Sequence, residues 1–158
     1  MKKFVLTETT KEFPGITLYQ IKAIRAFGDV KEGELGGWVE KEENLVHSGD
    51  AWVYGNARVY GDAHVSDNAQ VYGDAWIESR NHIFWASSVG SENGTLTAYT
   101  IKNGEIEVTR GCFRGTLDEF ERAVKSRHDG SRYADEYLVL IQFIRLRFRG
   151  IVLMVAEE

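Results

Sequence analysis

A six-residue period dominates residues 51–78, which read AWVYGNARVYGDAHVSDNAQVYGDAWIE. Alanine holds one position of each hexad, and a β-branched residue follows two positions later. The alanines are Ala51, Ala57, Ala63, Ala69 and Ala75, and the branched residues are Val53, Val59, Val65, Val71 and Ile77. Six is neither the helical period nor a heptad. Five returns in two positions at once therefore indicate an internal repeat.

Each hexad divides into four strand-forming residues and two turn residues, mostly Gly, Asn or Asp, which tolerate positive φ. Two-residue hairpins would turn successive valines toward opposite faces, because the residues that flank a hairpin loop face the same side. A corner that bends the chain without reversing it points every alanine and valine inward. Three hexads then complete an 18-residue triangular turn, and stacked turns form parallel strands. We predict such a β-solenoid over residues 35–92.

An aliphatic residue followed four positions later by a small one, as in Val59 and Ala63, resembles the hexapeptide-repeat family. The resemblance implies a left-handed parallel β-helix and a homotrimer. The chain departs from the family pattern at Tyr54, Tyr60 and Tyr72, where a small or acidic residue often stands.

The chain also resembles, over nearly its full length, a transferase-like family of hexapeptide-repeat proteins from bacteriophage and prophage genomes. Three segments carry this resemblance: LYQIKAI with GELGGWVEKEENL, AWVYGNARVYGDA, and GCFRGTLDEF. It implies a phage-encoded protein in the host cytoplasm. It assigns no activity, because fold-level likeness does not specify function.

The flanking segments predict an N-terminal β cap over 1–34 and a C-terminal unit over 93–158 with a hairpin and two helices. The expected fold class is therefore mainly β. Pro14 with Gly15 marks a turn between two strands of the cap, and Asn103 with Gly104 marks the later hairpin.

Two helices are predicted after that hairpin. Thr116 and Glu119 form a capping box that opens the first helix. The second helix has a broad apolar stripe and runs to about Phe148. The final IVLMV, at 151–155, predicts a strand.

Composition limits the partners. The formal net charge is −5, which argues against binding to the phosphates of nucleic acids. No apolar stretch reaches the roughly 18 residues of a membrane span. We therefore expect a cytoplasmic protein with no nucleic-acid or membrane partner. Cys112 is the single cysteine, which excludes an internal disulfide and a cysteine cluster for zinc.

His64 and His82 are the candidate catalytic residues. They lie 18 positions apart and so share one predicted outward column. Hexapeptide-repeat acyltransferases use a histidine as general base, which gives these two a role if the chain is such an enzyme. The same positions also fit ordinary surface histidines. Neither belongs to the close pair through which relatives of this fold bind zinc, so we expect no metal.

The outward aromatic residues suggest a binding surface. Tyr54 stacks with Tyr72, and Arg58 stacks with Trp76, in the predicted 18-residue register. Exposed aromatic residues are costly unless they are covered. A subunit interface would cover them, and a ligand groove lined by these four residues is the alternative.

Arg110 and Arg114 precede the first helix and form a candidate anion site at its N-terminus. Asp118 and Glu119 in the first turn also fit a local salt-bridged cap, which would satisfy the helix dipole and the arginines without a ligand.

Three functions stay open at this point. The leading hypothesis is a non-enzymatic oligomer, with a homotrimer expected, that captures a host protein or a small anionic, nucleotide-like ligand and needs no cofactor. The alternative is an acyltransferase that uses acetyl-coenzyme A at a subunit interface. A structural virion component is the third.

Overall fold

The structure is a computed structural model, and it describes residues 1–128 and 130–151. The described part is mainly β, with two helices near its C-terminal end. The strands are β1 (Phe4–Phe13), β2 (Ile16–Ala23), β3 (Leu35–Val39), β4 (Trp52–Val53), β5 (Arg58–Val59), β6 (Gln70–Val71), β7 (Trp76–Ile77), β8 (Ile83–Val89), β9 (Gly94–Thr100), β10 (Ile106–Arg110) and β11 (Phe113–Thr116). The helices are α1 (Leu117–His128) and α2 (Arg132–Arg147). Short 3₁₀ turns span Glu42–Asn44 and Arg80–His82.

The strands form three sheets. A five-stranded mixed sheet has the order β1-β2-β3-β5-β7, with antiparallel pairs up to β3 and parallel pairs beyond it. A four-stranded antiparallel sheet has the order β11-β10-β9-β8. The third sheet is the parallel pair β4-β6.

The repeated alanines and β-branched residues form the core of the repeat, as predicted. All ten are buried, and all ten belong to one apolar cluster. Within 52–77 the neighbouring strands are parallel, and residues 18 apart are partners: Trp52 pairs with Gln70, and Arg58 with Trp76. Side chains of the hexads therefore lie in columns, each above the residue one 18-residue interval away.

Corner residues of the hexads have the backbone conformation that the turn residues predict. Gly55, Gly61, Asp67 and Gly73 have φ values of 56°, 62°, 56° and 63°, a region that glycine enters without steric cost. Gly61 is required for packing as well, because an added Cβ would lie 2.3 Å from the Glu78 carbonyl oxygen.

The prediction of a left-handed parallel β-helix is wrong. The described residues form several antiparallel and mixed sheets and two helices, with no closed or solenoid sheet. Parallel pairing inside the repeat is limited to strands of two residues. The physical reason lies in the flanking strands, which supply antiparallel partners: β3 pairs with β2, and β8, which the hexad register placed in the repeat, pairs with β9.

The local predictions for the flanking segments are confirmed. β1 and β2 form an antiparallel hairpin around Pro14 and Gly15. The hairpin around Asn103 and Gly104 joins β9 to β10. Thr116 and Glu119 exchange capping hydrogen bonds of 2.9 and 3.2 Å at the start of α1.

The second helix also agrees with its prediction. α2 begins after Ser131, whose hydroxyl accepts a hydrogen bond from the Ala134 N–H, and is capped at Phe148. The predicted strand at 151–155 falls outside the described residues from position 152 onward.

The antiparallel sheet docks against the repeat through β9 and β10. The Thr97 hydroxyl accepts a hydrogen bond from the Gln70 N–H, and the Thr109 hydroxyl donates one to the Gln70 carbonyl. The Thr100 hydroxyl donates to the Trp76 carbonyl at 2.7 Å. Polar backbone groups at this edge of the repeat are satisfied by side chains of the sheet, as buried backbone groups require.

A second apolar core lies between the antiparallel sheet and the two helices. It joins Leu96, Ala98 and Val108 of the sheet to residues such as Phe120 and Ile141 of the helices. No helix in the described part of the chain is long and apolar enough to cross a membrane. Packing on this core brings α2 alongside β8, and that contact shapes the site described next.

Candidate functional site

Tyr54 and Tyr72 stack as the 18-residue register predicts. Their ring centroids are 4.1 Å apart and the planes differ by 4°. The Tyr54 hydroxyl donates a hydrogen bond to Gln70 Oε1 at 2.9 Å. Burial, with a contribution from the Tyr72 hydroxyl, raises the pKa of Tyr54. Tyr54 therefore stays neutral and acts as a hydrogen-bond donor within the protein.

A polar network ties Tyr72 to the antiparallel sheet. The fully buried Tyr99 hydroxyl accepts a hydrogen bond from the Tyr72 N–H and donates one to Glu107 Oε2. Arg114 Nε donates to the same carboxylate oxygen at 3.2 Å, and its guanidinium lies 5.9 Å from the Tyr72 ring centroid. Arg114 is thus engaged by Glu107 and Tyr72, although it precedes the start of α1 by only three residues.

Arg58 and Trp76 lie in a separate column. The Arg58 guanidinium is 4.5 Å from the Trp76 ring centroid and 4.4 Å from that of Phe13 in the N-terminal hairpin. Both residues are less than a tenth exposed. The four residues of the predicted groove are therefore divided between two columns. Tyr54 stacks on Tyr72, whose backbone N–H is bound by the C-terminal sheet, while Arg58 packs on Trp76 and on β1.

His82 is buried in the 3₁₀ turn that precedes β8. It is 5% exposed, and its Nδ1 accepts a hydrogen bond from the Glu78 N–H at 3.2 Å. Burial lowers the pKa of His82. A neutral, buried ring that holds a backbone N–H has the surroundings of a structural histidine.

His64, in contrast, lines a cavity of about 380 Å³, which we name the His64 cavity. This volume is within the usual range for small-molecule sites. The lining residues are His64, Ser66, Arg80, Ile83, Phe84, Trp85, Phe143 and Arg147. They carry two guanidinium groups, one imidazole and three aromatic rings, and none of these described lining residues is acidic.

Four parts of the fold assemble this cavity, and β8 supplies Ile83, Phe84 and Trp85. His64 comes from a hexad, Arg80 from the 3₁₀ turn, and Phe143 and Arg147 from successive turns of α2. The Phe84 and Phe143 rings are in contact, with centroids 4.9 Å apart. Phe143 is nonetheless 45% exposed, so an apolar ring remains available to a ligand at the mouth.

Polar contacts orient the wall of the His64 cavity. Trp85 Nε1 donates a hydrogen bond to Asp67 Oδ2 at 2.7 Å, which holds the indole. Arg80 Nε lies 3.4 Å from the Asp62 carbonyl oxygen. The guanidinium is thus anchored through Nε, and its terminal nitrogens are the groups that an anionic ligand would contact.

The tautomer of His64 follows from its neighbour. His64 Nδ1 lies 3.2 Å from the carbonyl oxygen of Glu43. Because a carbonyl oxygen only accepts hydrogen bonds, this contact requires a hydrogen on Nδ1. Nε2 of the neutral ring then carries the lone pair, so it can accept a proton or a hydrogen bond.

Arg110 lies at a different place from both histidines. Its Nε donates a hydrogen bond to the Tyr137 hydroxyl at 2.9 Å, and it lines a second cavity beside α1. The two arginines that the sequence analysis grouped before α1 therefore have different binding partners and do not form one anion site.

Sequence reasoning named His64 as a candidate but did not name the residues that line the cavity with it. Arg80, Phe143 and Arg147 lie between 16 and 83 positions away along the chain, and no local spacing links them to His64. One signal was present: Phe143 and Arg147 are four residues apart on a predicted helix, so they share a face. No group of three or more His, Cys, Asp or Glu residues within 1–128 and 130–151 is arranged to hold a metal ion.

No family model matches the chain. Over 62 residues it is 36% identical to the Uncharacterized acetyltransferase YdcK of Escherichia coli (strain K12), in an alignment that covers 34% of this chain and 19% of that protein. The chain thus spans about a fifth of the length of the curated relative that it matches. The match is compatible with an acyltransferase only distantly, and it lends no support to the bacteriophage relationship expected from the sequence.

Proposed function

We propose that the protein binds a small organic anion with a planar body, of the nucleotide-like class, in the His64 cavity. The observation that supports this is the lining itself, in which Arg80, Arg147 and His64 surround a wall of aromatic rings. Guanidinium groups bind phosphate through paired hydrogen bonds. Rings such as Phe143 and Trp85 accept a planar base by stacking, an interaction worth about 1–3 kcal/mol per base.

The charge of this cavity differs from that of the whole chain. The chain carries a formal charge of −5, and a free anion is repelled on average. Two arginines and no acidic residue line the cavity, which makes the local charge positive, and low-dielectric aromatic walls strengthen that local field. Affinity for an anion should therefore be confined to this cavity and should fall as salt is added.

The test is calorimetric titration with adenosine monophosphate and, separately, with uncharged adenosine. We expect the monophosphate to bind more tightly, since it alone engages the guanidinium groups. Arg147→Gln should weaken its binding about tenfold or more, the loss expected for a hydrogen bond to a charged group. Arg149→Gln is the matched control, because Arg149 is exposed, lies two residues away and does not line the cavity.

Equal affinities for the two ligands would overturn the proposal, as would the same weakening in both arginine variants. Absence of monophosphate binding in both calorimetry and equilibrium dialysis would overturn the proposal. Circular dichroism melting of each variant separates loss of binding from loss of folding, and both arginines are exposed, so folding is expected to survive.

Acyl transfer is the second candidate, and the partial likeness to an acetyltransferase favours it. With hydrogen on Nδ1, His64 Nε2 would remove the proton of an acceptor hydroxyl or amine as that group attacks the acyl carbonyl of acetyl-coenzyme A. The carbon–sulfur bond then breaks, and the thiol leaves with a proton. Such general base catalysis contributes roughly 10²–10⁴-fold to rate.

Mass spectrometry of acetyl-coenzyme A incubated with the protein and an added amine distinguishes the two candidates. Turnover that falls at least about 100-fold in His64→Gln, with the melting-temperature shift caused by the donor unchanged, would favour the enzyme. Donor that is recovered intact in the presence of the wild-type protein would favour binding alone.

The homotrimer stays a prediction. Multi-angle light scattering measures the mass of the assembly, and native mass spectrometry of protein purified from cells reports subunit number together with any retained ligand. A mass of one chain would contradict the trimer.

A further inference from the structure

A second cavity, of about 540 Å³, lies beside α1, and we name it the Arg110 cavity. Its lining comes from the turn after β8, the turn between β10 and β11, and the inner face of α1, with Tyr137 from α2. Nothing in the function proposed above uses this cavity, because it shares no lining residue with the His64 cavity.

Three aromatic rings in consecutive contact form one wall of the Arg110 cavity. The centroids of Phe113 and Phe120 are 5.2 Å apart, and those of Phe120 and Tyr137 are 5.4 Å apart in an edge-to-face arrangement. Val124 extends the same wall along α1. An apolar or aromatic body of a ligand would be desolvated against this wall, which stabilises binding in proportion to the area buried.

Arg110 is held in a defined position at this wall. Its Nε donates to the hydroxyl of Tyr137, which is 4% exposed. The guanidinium also lies over Gly94, where an added Cβ would come within 3.0 Å of Arg110 Cζ. A guanidinium anchored through Nε presents its terminal N–H groups as a fork, which matches the two oxygens of a carboxylate.

The charge of the lining favours an anion. Arg110 and Arg127 are its two cationic residues and Glu92 its acidic residue. We propose that the Arg110 cavity binds a small carboxylate with an aromatic or apolar body. The body packs on Phe113 and Phe120, and the carboxylate accepts hydrogen bonds from Arg110, with Arg127 adding charge at the mouth.

Cys112 supplies a reporter for this proposal. It is the single cysteine of the chain, it is exposed, and it lines the same cavity. The Cys112 thiolate attacks the S–S bond of an aromatic disulfide, which forms a protein–aryl mixed disulfide and releases the other half as a thiolate or its thione, followed by its absorbance. Two reagents of similar shape differ in charge: 5,5′-dithiobis(2-nitrobenzoate) carries two carboxylates, and 4,4′-dithiodipyridine is neutral.

The measured quantity is the ratio of the rate constants for the anionic and the neutral reagent. A change in the intrinsic reactivity of the Cys112 thiolate acts on both reagents alike, and the ratio removes that effect. Arg110→Gln should lower the ratio about tenfold, the loss expected for a hydrogen bond to a charged group. Arg127→Gln, an exposed position on α1 that should not affect folding, should lower it less.

Arg122→Gln is the matched control, because it removes the same charge from α1 but outside the Arg110 cavity. Its ratio should stay at the wild-type value. In addition, 3-phenylpropionate should protect Cys112 from both reagents with a saturating dependence on concentration, whereas 3-phenylpropionamide should not.

A ratio that Arg110→Gln and Arg127→Gln leave unchanged would overturn the proposal, as would equal protection by the acid and the amide. A ratio that Arg122→Gln lowers as much as the other two would also overturn it, because the effect would then be one of net charge. These outcomes are independent of adenosine monophosphate binding at the His64 cavity.

Discussion

Replacement of Lys3 by Met should change how the stability of the protein depends on pH. Lys3 is fully buried near the start of β1. Its Nζ donates hydrogen bonds to the carbonyl oxygens of Ala51, at 2.7 Å, and Gly49, at 3.3 Å, and lies 4.7 Å from the Phe27 ring centroid. Burial, opposed by Asp50, lowers the pKa of Lys3 from 10.5 to about 8.

The sign of the effect follows from proton binding in the two states. Between about pH 8 and about pH 10.5 the unfolded chain keeps the Lys3 proton and the folded chain has lost it, so the free energy of unfolding rises with pH across this window. A lowered pKa of this size corresponds to about 3 kcal/mol in full. About 2.5 kcal/mol of it should appear between pH 7 and pH 10.

The assay is urea unfolding of the wild-type protein and Lys3→Met at several pH values in this window. The difference in free energy of unfolding, wild type minus variant, should rise by about 2.5 kcal/mol from pH 7 to pH 10. Other titrating groups, including the tyrosines, occur in both proteins and cancel in the difference. The value at any single pH carries no test, because Met also leaves the Ala51 carbonyl without its donor.

Lys2→Met provides the matched control. The Lys2 side chain is 62% exposed, so this variant removes the same charge from the next position without opening a buried site, and its difference curve gives the effect of the charge change alone. A Lys3→Met difference that rises no more than the Lys2→Met difference would refute the reasoning, since it would mean that the buried ammonium keeps an ordinary affinity for its proton.

Two further predictions concern the contacts around the repeat. Tyr99→Phe should destabilise the protein by about 1–3 kcal/mol in urea unfolding, because the Tyr72 N–H and Glu107 lose the hydroxyl they share; a value no larger than that of Tyr133→Phe on α2 would contradict this. His82→Gln should reduce the loss of stability between about pH 7 and pH 5, because burial lowers the pKa of His82 and only the unfolded chain takes up the proton. The measurement is the melting temperature at several pH values between about 7 and 5. An equal decrease in the wild type and in His82→Gln would contradict the prediction, because it would mean that His82 binds its proton equally in the folded and the unfolded chain.

Much of the local structure was readable from the sequence. The hexad period predicted that Ala57 and Val59 lie in the core, because equivalent apolar residues return every six positions. The glycine and aspartate residues between the strands were predicted to form the corners, and they do so. The capping box at Thr116 and Glu119 specified the start of α1. These features depend on neighbours within a few residues, so spacing alone carries the information.

The fold class was wrong because the hexad register was extended beyond the segment that obeys it. Ile83 and Val89 keep the period, yet they lie in β8, which pairs antiparallel with β9. A strand accepts any partner that satisfies its backbone N–H and C=O groups. The turn at 90–93 brings β9 back beside β8 as a seven-residue antiparallel partner, longer than another two-residue strand would provide.

For the candidate site, too, one part could be predicted from the sequence and the other part could not. The sequence by itself determined which faces of the hexads are buried and which are turned outward. The repeated alanines and β-branched residues must share one core, and His64, which occupies neither of these positions, is therefore placed on the outer face. Only the tertiary structure decided what covers the outer face: β1 over Arg58, the sheet over Tyr72, and α2 beside His64 with Phe143 and Arg147. Those contacts join residues far apart in the chain through the packing of a second core, and no period in the sequence records which surfaces that core brings together.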